Sequence, residues 1–402
     1  MISAKIKNFF IAKKDDHFPI AKDGKEVLFM LIPWSLGWIH EINIPLARTL
    51  FWFFGHPLVY FWLLPAYIMY YVFLPQLAGG KLFSENAARL VFLLFIVFSI
   101  PVGVHHQFTE PGISQNTKWI HSIFTFLVGL PSLITAFTVA ASLEYAGRKH
   151  GATSLFGWMA KLPYFDKNRY LFSYLITGLI IFIFGGITGI VNASYKLNLV
   201  VHNTAWISGH FHLTVAGPVI LAMLGGALYM VEQITGKTCP TRGLAVAFPY
   251  LWMLGLFLMS SGLMLGGLHG EPRRTNLGLS YLNPNSELYR PDWEFYTTLT
   301  VIGGTVLFIA AILYFISFFG TLIWNQEKEP SLQFPTSESI TQEARIPYLD
   351  MFMPWIAVLI LLIAIAYTPT IVEVVENTYE NAPEYKIDAP VPYRQLIQPT
   401  NR

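Results

Sequence analysis

Of 402 residues, 54% are hydrophobic and 12% charged, and the apolar ones fall in long blocks, which reads as a polytopic membrane protein rather than a soluble domain. The formal net charge of +2 argues against a nucleic-acid partner, and the single Cys239 rules out an internal disulfide and a cysteine metal cluster.

Residues 1–26 mix Lys and Asp without an apolar core, so no secretory signal is expected there, and the segment is assigned to the cytoplasmic side. From Val27 to Ile39 runs an apolar stretch too short to span. It contains Pro33, follows the charged Lys22-Asp23-Gly24-Lys25-Glu26, and looks like the second half of a crossing. Eight full spans then follow at about 45–76, 89–107, 119–145, 170–193, 203–231, 244–268, 295–325 and 350–375, each long enough to cross about 30 Å of hydrocarbon. The expected fold is an all-α membrane helix bundle over residues 27–375, with an outer-side tail at 376–402.

Lys and Arg gather in the loops at 146–169 and 232–243, whereas 108–117 and 194–202 carry almost none, so the basic loops are assigned to the cytoplasm. Arg273-Arg274, on the outer side, breaks that rule.

Inside the spans the titratable residues are His56, His105, His106, His210 and His212, with Tyr60, Tyr67, Tyr70 and Tyr71. Intramembrane ionisable groups are costly and point to function. Counting about 1.5 Å per residue from the span ends places all five histidines in the outer half of the bilayer, which suggests one site. His210 and His212 lie roughly 200° apart on a helix and should address different partners. His105 and His106, adjacent, can converge on one metal with a third imidazole such as His56. Imidazole suits Cu, Fe and Zn, and no carboxylate or thiol lies at this depth. A three-histidine metal beside a histidine-ligated heme fits that inventory.

His56 and Tyr60 share a helix face, Tyr67 and Tyr71 continue approximately along it, and Ser132, Thr135 and Thr138 recur at every third position of the third span. Two readings stand side by side: a proton-conducting hydroxyl ladder, or Ser and Thr bonded to their own helix backbone. Tyr70 is read as packing or an interfacial anchor, and His17, His40, His121, His150 and His269 as solvated or structural.

Gly55-His56-Pro57-Leu58-Val59-Tyr60, the doublet His105-His106, and the stretch from His202 to Gly209-His210-Phe211-His212 resemble subunit I of the heme–copper terminal oxidases, in flavour the B-type branch found in some thermophiles and bacilli. The resemblance covers about residues 27–375. It implies two hemes and one copper ion: His56, His105 and His106 as copper ligands with His56 covalently linked to Tyr60, His210 on the high-spin heme, and His212 as one axial ligand of the low-spin heme. Arg273 and Arg274 match the pair that neutralises heme propionates, and His202 and Asn203 the region above the high-spin heme. Tyr67, Tyr71, Ser132, Thr135 and Thr138 resemble the proton-input path of the B-type branch. Asn198 departs from the pattern, an acidic residue being expected there.

The implied function is a proton-translocating cytochrome c oxidase in a bacterial cytoplasmic membrane, reducing O₂ to water. Its implied partners are other oxidase subunits, including an electron-entry subunit II, and a cytochrome c or quinol donor. The family carries about five further helices before the first full span, so this chain corresponds to about two-thirds of a subunit I: a fragment, a split subunit completed by a separate chain, or a misread start. Three rivals are weighed: a nitric oxide reductase of the same superfamily, a histidine-based proton or metal-ion transporter, and an incomplete subunit inactive without its partner.

Overall fold

The computed structural model describes residues 27–39, 41–324 and 336–377. The assignments made for residues 1–26, most of the tail at 376–402, His17 and His40 lie outside those residues. Among the described residues the chain is all-helical, with two isolated backbone bridges and no strand. Eight helices are long and apolar enough to cross a membrane: α1 (Ile44–Leu77), α2 (Glu85–Gln107), α3 (Gln115–Lys149), α4 (Lys167–Ala193), α5 (Ala205–Thr235), α6 (Arg242–Leu268), α7 (Pro291–Ile323) and α8 (Phe352–Glu376). All eight correspond to the expected spans. The chain is a multi-pass membrane protein.

Side chains set where the helices begin. Asn43 accepts from the Leu46 N–H, Ser84 from Ala87, Ser114 from Thr117 and Thr204 from Trp206, each satisfying a backbone donor that the first turn leaves open. Val27–Leu31 and Ile32–Ser35 form only short turns, as the length of that stretch requires.

Three spans expected to be continuous are interrupted where imino acids remove a backbone donor. In α2 the regular helix stops at Ser99, before Pro101, and resumes as the tight turn Val104–Gln107. In α3 the break falls at Val128, ahead of Gly129 and Pro131. In α5 the residues His212–Ala216 make a π-helical turn before Pro218, closed by Gly217 N–H to the His212 carbonyl at 3.1 Å.

The core joins α1 to α7 through buried aromatic and aliphatic side chains, among them Tyr67, Tyr70, Phe95, Tyr174 and Phe248. Helices α6 and α7 meet through glycines. A Cβ at Gly303 would strike the Met259 backbone, and one at Gly262 the Thr300 side chain, so the small residues allow the close approach that helix association in lipid depends on. α8 rests on α1 and the α2 turn through Leu46, Val104, Ala366, Tyr367 and Val374. Outward-facing Phe308 and Ile360 fit a lipid-facing surface. The alternation of spans gathers the loops at 194–204 and 269–290 at one end of the bundle, the histidine end, and the 150–166 and 236–241 loops at the other, the basic end.

Candidate metal centre

His56 projects from α1, and His105 and His106 from the turn that closes α2. The turn can lie against α1 because Gly103 has no Cβ, which would collide with the Trp52 carbonyl and the Tyr367 hydroxyl. One ligand nitrogen from each of His56, His105 and His106 lies within 4.8 Å of the others. His56 Nδ1 stands 3.2 Å from His106 Nε2, and His106 stacks on Trp52 at 3.7 Å between ring centroids. The Tyr60 ring is 4.9 Å from that of His56, one helical turn away.

Hydrogen bonds decide which nitrogen of each ring is bare. The Thr125 hydroxyl donates to the His121 carbonyl at 2.6 Å, so toward His105 Nδ1, at 3.1 Å, it can only accept. His105 therefore carries its proton on Nδ1 and leaves Nε2 as a lone pair. The same logic holds on α5. Thr188 gives its proton to the Gly185 carbonyl at 2.8 Å and accepts from His210 Nδ1 at 2.9 Å, while His212 Nδ1 donates to the Ser208 carbonyl at 2.7 Å. Both rings are left with a free Nε2 lone pair, oriented by a fixed partner as metal-binding imidazoles are. His56 Nε2 is buried without a hydrogen-bond partner.

A cluster of two buried imidazoles and the half-buried His106, with no carboxylate in it among the described residues, suits Cu, Fe or Zn. The residues present thus fit a metal at His56, His105 and His106, and imidazole-ligated iron at His210 and His212. A Cβ at Gly189 would stand 3.2 Å from His210 Cε1, so that glycine leaves the ring its room against α4. The π-turn starting at His212 sets this residue off from His210, and Trp252 Nε1 donates to the Ala216 carbonyl inside it at 2.9 Å.

At the histidine end the segments 203–205 and 271–273 pair antiparallel. Ala205 N–H donates to the Glu271 carbonyl at 2.8 Å and Arg273 N–H to that of Asn203 at 3.2 Å. Arg273 Nη2 also donates to Asn203 Oδ1 at 3.2 Å. Asn203 and Arg274 both take positive φ, +60° and +62°, to turn the chain here. Asn198 donates to the Asn192 carbonyl at 2.7 Å, so its Oδ1 accepts from His202 Nδ1 at 2.9 Å. Burial, with Arg273, Arg48 and Lys118 nearby, lowers the His202 pKa to about 4 and keeps the ring neutral near pH 7. Trp206 Nε1 and Arg273 Nε are buried donors without partners and suit a bound carboxylate, while His202 Nε2, also unpartnered, is left as a lone pair.

Sequence reasoning missed Arg48, Lys118, Trp206 and Glu271 in this region. Arg48 pairs with Glu110 at 2.7 Å and Lys118 donates to the Glu110 carbonyl at 2.8 Å, contacts across helices that spacing along one span cannot register.

Toward the basic end, Tyr67 donates to Ser132 Oγ at 3.1 Å. Tyr71 meets Thr135 Oγ1 at 2.7 Å, and that hydroxyl itself donates to the Pro131 carbonyl. Thr135 bonds to its own backbone, as the second reading expects, and also accepts from the tyrosine. Thr138 is buried with its hydroxyl unpartnered. Among the described residues no hydrogen bond joins Tyr60 to these rungs. Tyr70 is core packing, 0% exposed. His121 is fully buried in α3, bonded through Nε2 to the Ala366 carbonyl and Thr370, so its role is structural and not solvated. His150 bonds the Ala78 carbonyl, and His269 the Leu265 carbonyl and the Tyr296 hydroxyl.

The family model for cytochrome c and quinol oxidase polypeptide I matches residues 24–306. Cytochrome c oxidase subunit 1 of Thermus thermophilus is 44% identical over 356 residues, 87% of this chain and 62% of the relative. Cytochrome c oxidase polypeptide 1 of Halobacterium salinarum is 28% identical over 56% of this chain and 35% of its own length. A cryo-EM structure of a heme–copper terminal oxidase dimer superposes with a TM-score of 0.87 at 49% identity, covering 91% of this chain and 64% of that one. The chain thus spans less than two-thirds of the length of these relatives.

Proposed function

We propose, for a chain that belongs to the cytochrome c and quinol oxidase polypeptide I family, that it carries the oxygen-reducing centre of a respiratory heme–copper oxidase. In this reading His56, His105 and His106 would hold copper, His210 would hold a high-spin heme and His212 would help hold a low-spin heme. When bound, these groups supply the electrons and the coordination positions for four-electron reduction of O₂ to water. The protein's own part is to fix the imidazoles and to handle protons.

Thr125, Thr188 and the Ser208 carbonyl hold the Nδ1 protons of His105, His210 and His212, so each ring presents Nε2 without reorganising. Trp52 fixes the plane of His106 by stacking. Tyr60, beside His56, donates a proton and an electron from its phenol. Tyr71, Thr135, Tyr67 and Ser132 carry protons inward from the basic end, which lies on the cytoplasmic side, and Thr138 extends that route. This hydroxyl path supports a reading of the chain as B-type. His202, Asn203, Arg273 and Arg274 receive the heme propionates. The working complex includes further oxidase subunits, among them an electron-entry subunit II fed by cytochrome c or quinol, in a bacterial cytoplasmic membrane. Part of the free energy of the reaction is stored as translocated protons.

The observation that carries this reading is the trio His56, His105 and His106 with ligand atoms within 4.8 Å of one another, beside Tyr60. The test is metal and pigment analysis of the purified protein together with oxygen uptake. Copper and heme iron with oxygen consumption support the proposal. Iron in place of copper points to nitric oxide reduction, and a preparation without Soret absorbance points to transport.

A further inference from the structure

We infer that the Glu271 carboxyl is a proton-binding group of the histidine end, taking up one proton as negative charge accumulates at the metal pair and releasing it on that side of the membrane. The inference rests on the oxidase reading and adds to it a residue that neither the motifs nor the spacing identified.

Glu271 stands two residues before Arg273, where a carboxylate reads as the partner of the arginine pair. The structure places it otherwise. Its side chain turns away into the seam between the last turn of α6 and the first of α7, with 2% of the residue exposed. There it fills the space that a Cβ at Gly266 would need, next to Tyr296. Oε2 has no hydrogen-bond partner, and Thr297, the neighbouring hydroxyl, has none for its Oγ1. The Thr297 hydroxyl has its own hydrogen and favours the ionised carboxyl, but an oxygen buried without a hydrogen-bond donor makes the charge costly in this seam, and protonation removes it.

No cation compensates the ionised form. Among the described residues Glu271 has no ion-pair partner. On its own loop Arg273 gives Nη2 to Asn203, leaves Nε unpartnered, and sits in the field of Arg274 and Arg48. On α6, His269 is occupied by the Leu265 carbonyl and the Tyr296 hydroxyl. α7 adds Glu294, and the facing turn adds the neutral His202. Burial accordingly raises the Glu271 carboxyl from 4.5 to about 7, against a smaller opposing effect of Thr297. Near neutral pH the group is poised between its two forms.

The backbone ties the Glu271 segment to the start of the helix that carries His210. The Glu271 carbonyl accepts from the Ala205 N–H, the first residue of α5, and His210 follows five residues later, about 8 Å along the helix. Pro272 bridges to Thr204 in the same pairing. The step is a simple exchange: carboxylate plus one proton gives the carboxylic acid as an electron arrives, and the acid returns the proton when the electron leaves. Charge stays balanced at each stage.

The test is a reduced-minus-oxidised infrared difference spectrum of the heme-loaded protein, recorded from pH 5 to 9 with ¹³C-labelled glutamate. A carboxylic-acid carbonyl band that shifts on labelling and is lost in Glu271→Gln is expected, with a flatter pH dependence of the heme midpoint potential around neutrality in the variant. Thr297→Ala, which keeps the carboxyl, is expected to move the titration of that band to higher pH. An identical band and pH dependence in wild type and Glu271→Gln, or a titration unmoved in Thr297→Ala, overturns the assignment while leaving the oxidase reading intact. A preparation that binds no heme overturns both.

Discussion

A proton's position on an imidazole is a residue-scale property, and here four rings have theirs set by a neighbouring oxygen. For His105, His210 and His212 the result is a bare Nε2, and for His202 it is a bond to Asn198. Replacing Asn198 by Asp puts a carboxylate against His202 Nδ1 and should raise the ring's pKa from about 4. The sign is definite. A histidine depressed in the folded state loses stability as pH falls from about 6.5 through 4, because the unfolded chain binds the proton more readily. Thermal unfolding followed across that window should therefore show a shallower acid loss in Asn198→Asp than in wild type. Tyr60→Phe removes only a hydroxyl, and oxygen uptake is expected to fall by roughly 100-fold or more, the scale of a lost proton-transfer group, with the heme spectra retained. Wild-type turnover in that variant would remove Tyr60 from the chemistry. At this scale His56, Tyr60, His105 and His106 were legible as a group because depth in a membrane follows from counting along a helix. Glu271 was not, since its isolation depends on α6 and α7, which close around it.

At the scale of the element, hydropathy located all eight helices, their ends differing from the expected limits by a few residues. It did not reveal their interruptions, because an apolar run measures length and says nothing of which carbonyl loses its donor. Pro101, Pro131 and Pro218 were visible in the sequence as the local signal, and each precedes or follows a break that shapes the centre. The π-turn at His212–Ala216 is held by Trp252 through the Ala216 carbonyl. Trp252→Phe leaves that carbonyl without its indole donor and should cost about 1–3 kcal/mol. The measurement is chemical or thermal unfolding in detergent, paired with the low-spin heme line shape. Broadening of the low-spin signal with an unchanged high-spin signal is expected, whereas equal effects on both would place the tryptophan in general packing.

Across the whole molecule, the centre is assembled from helices whose contributing residues lie far apart in the chain, and a bound metal should therefore stabilise the bundle as well as equip it. Stripping copper from the purified, heme-loaded protein is expected to abolish oxygen uptake and to lower the unfolding temperature. A ligand held at a hundredfold excess over its Kd contributes about 2.7 kcal/mol to the native state. Unchanged unfolding after verified copper loss would argue that His56, His105 and His106 are not its ligands. The membrane spans and the family were determined by the amino-acid sequence alone, because apolar length and local motifs are properties of neighbouring residues. The bare nitrogens of His105 and His210, the burial of His121, the Tyr71 to Thr135 bond and the unpaired carboxyl of Glu271 were decided only by tertiary structure. Each depends on which surface of one helix meets another, because in lipid no water satisfies a stray polar atom and the neighbouring helix must supply its partner.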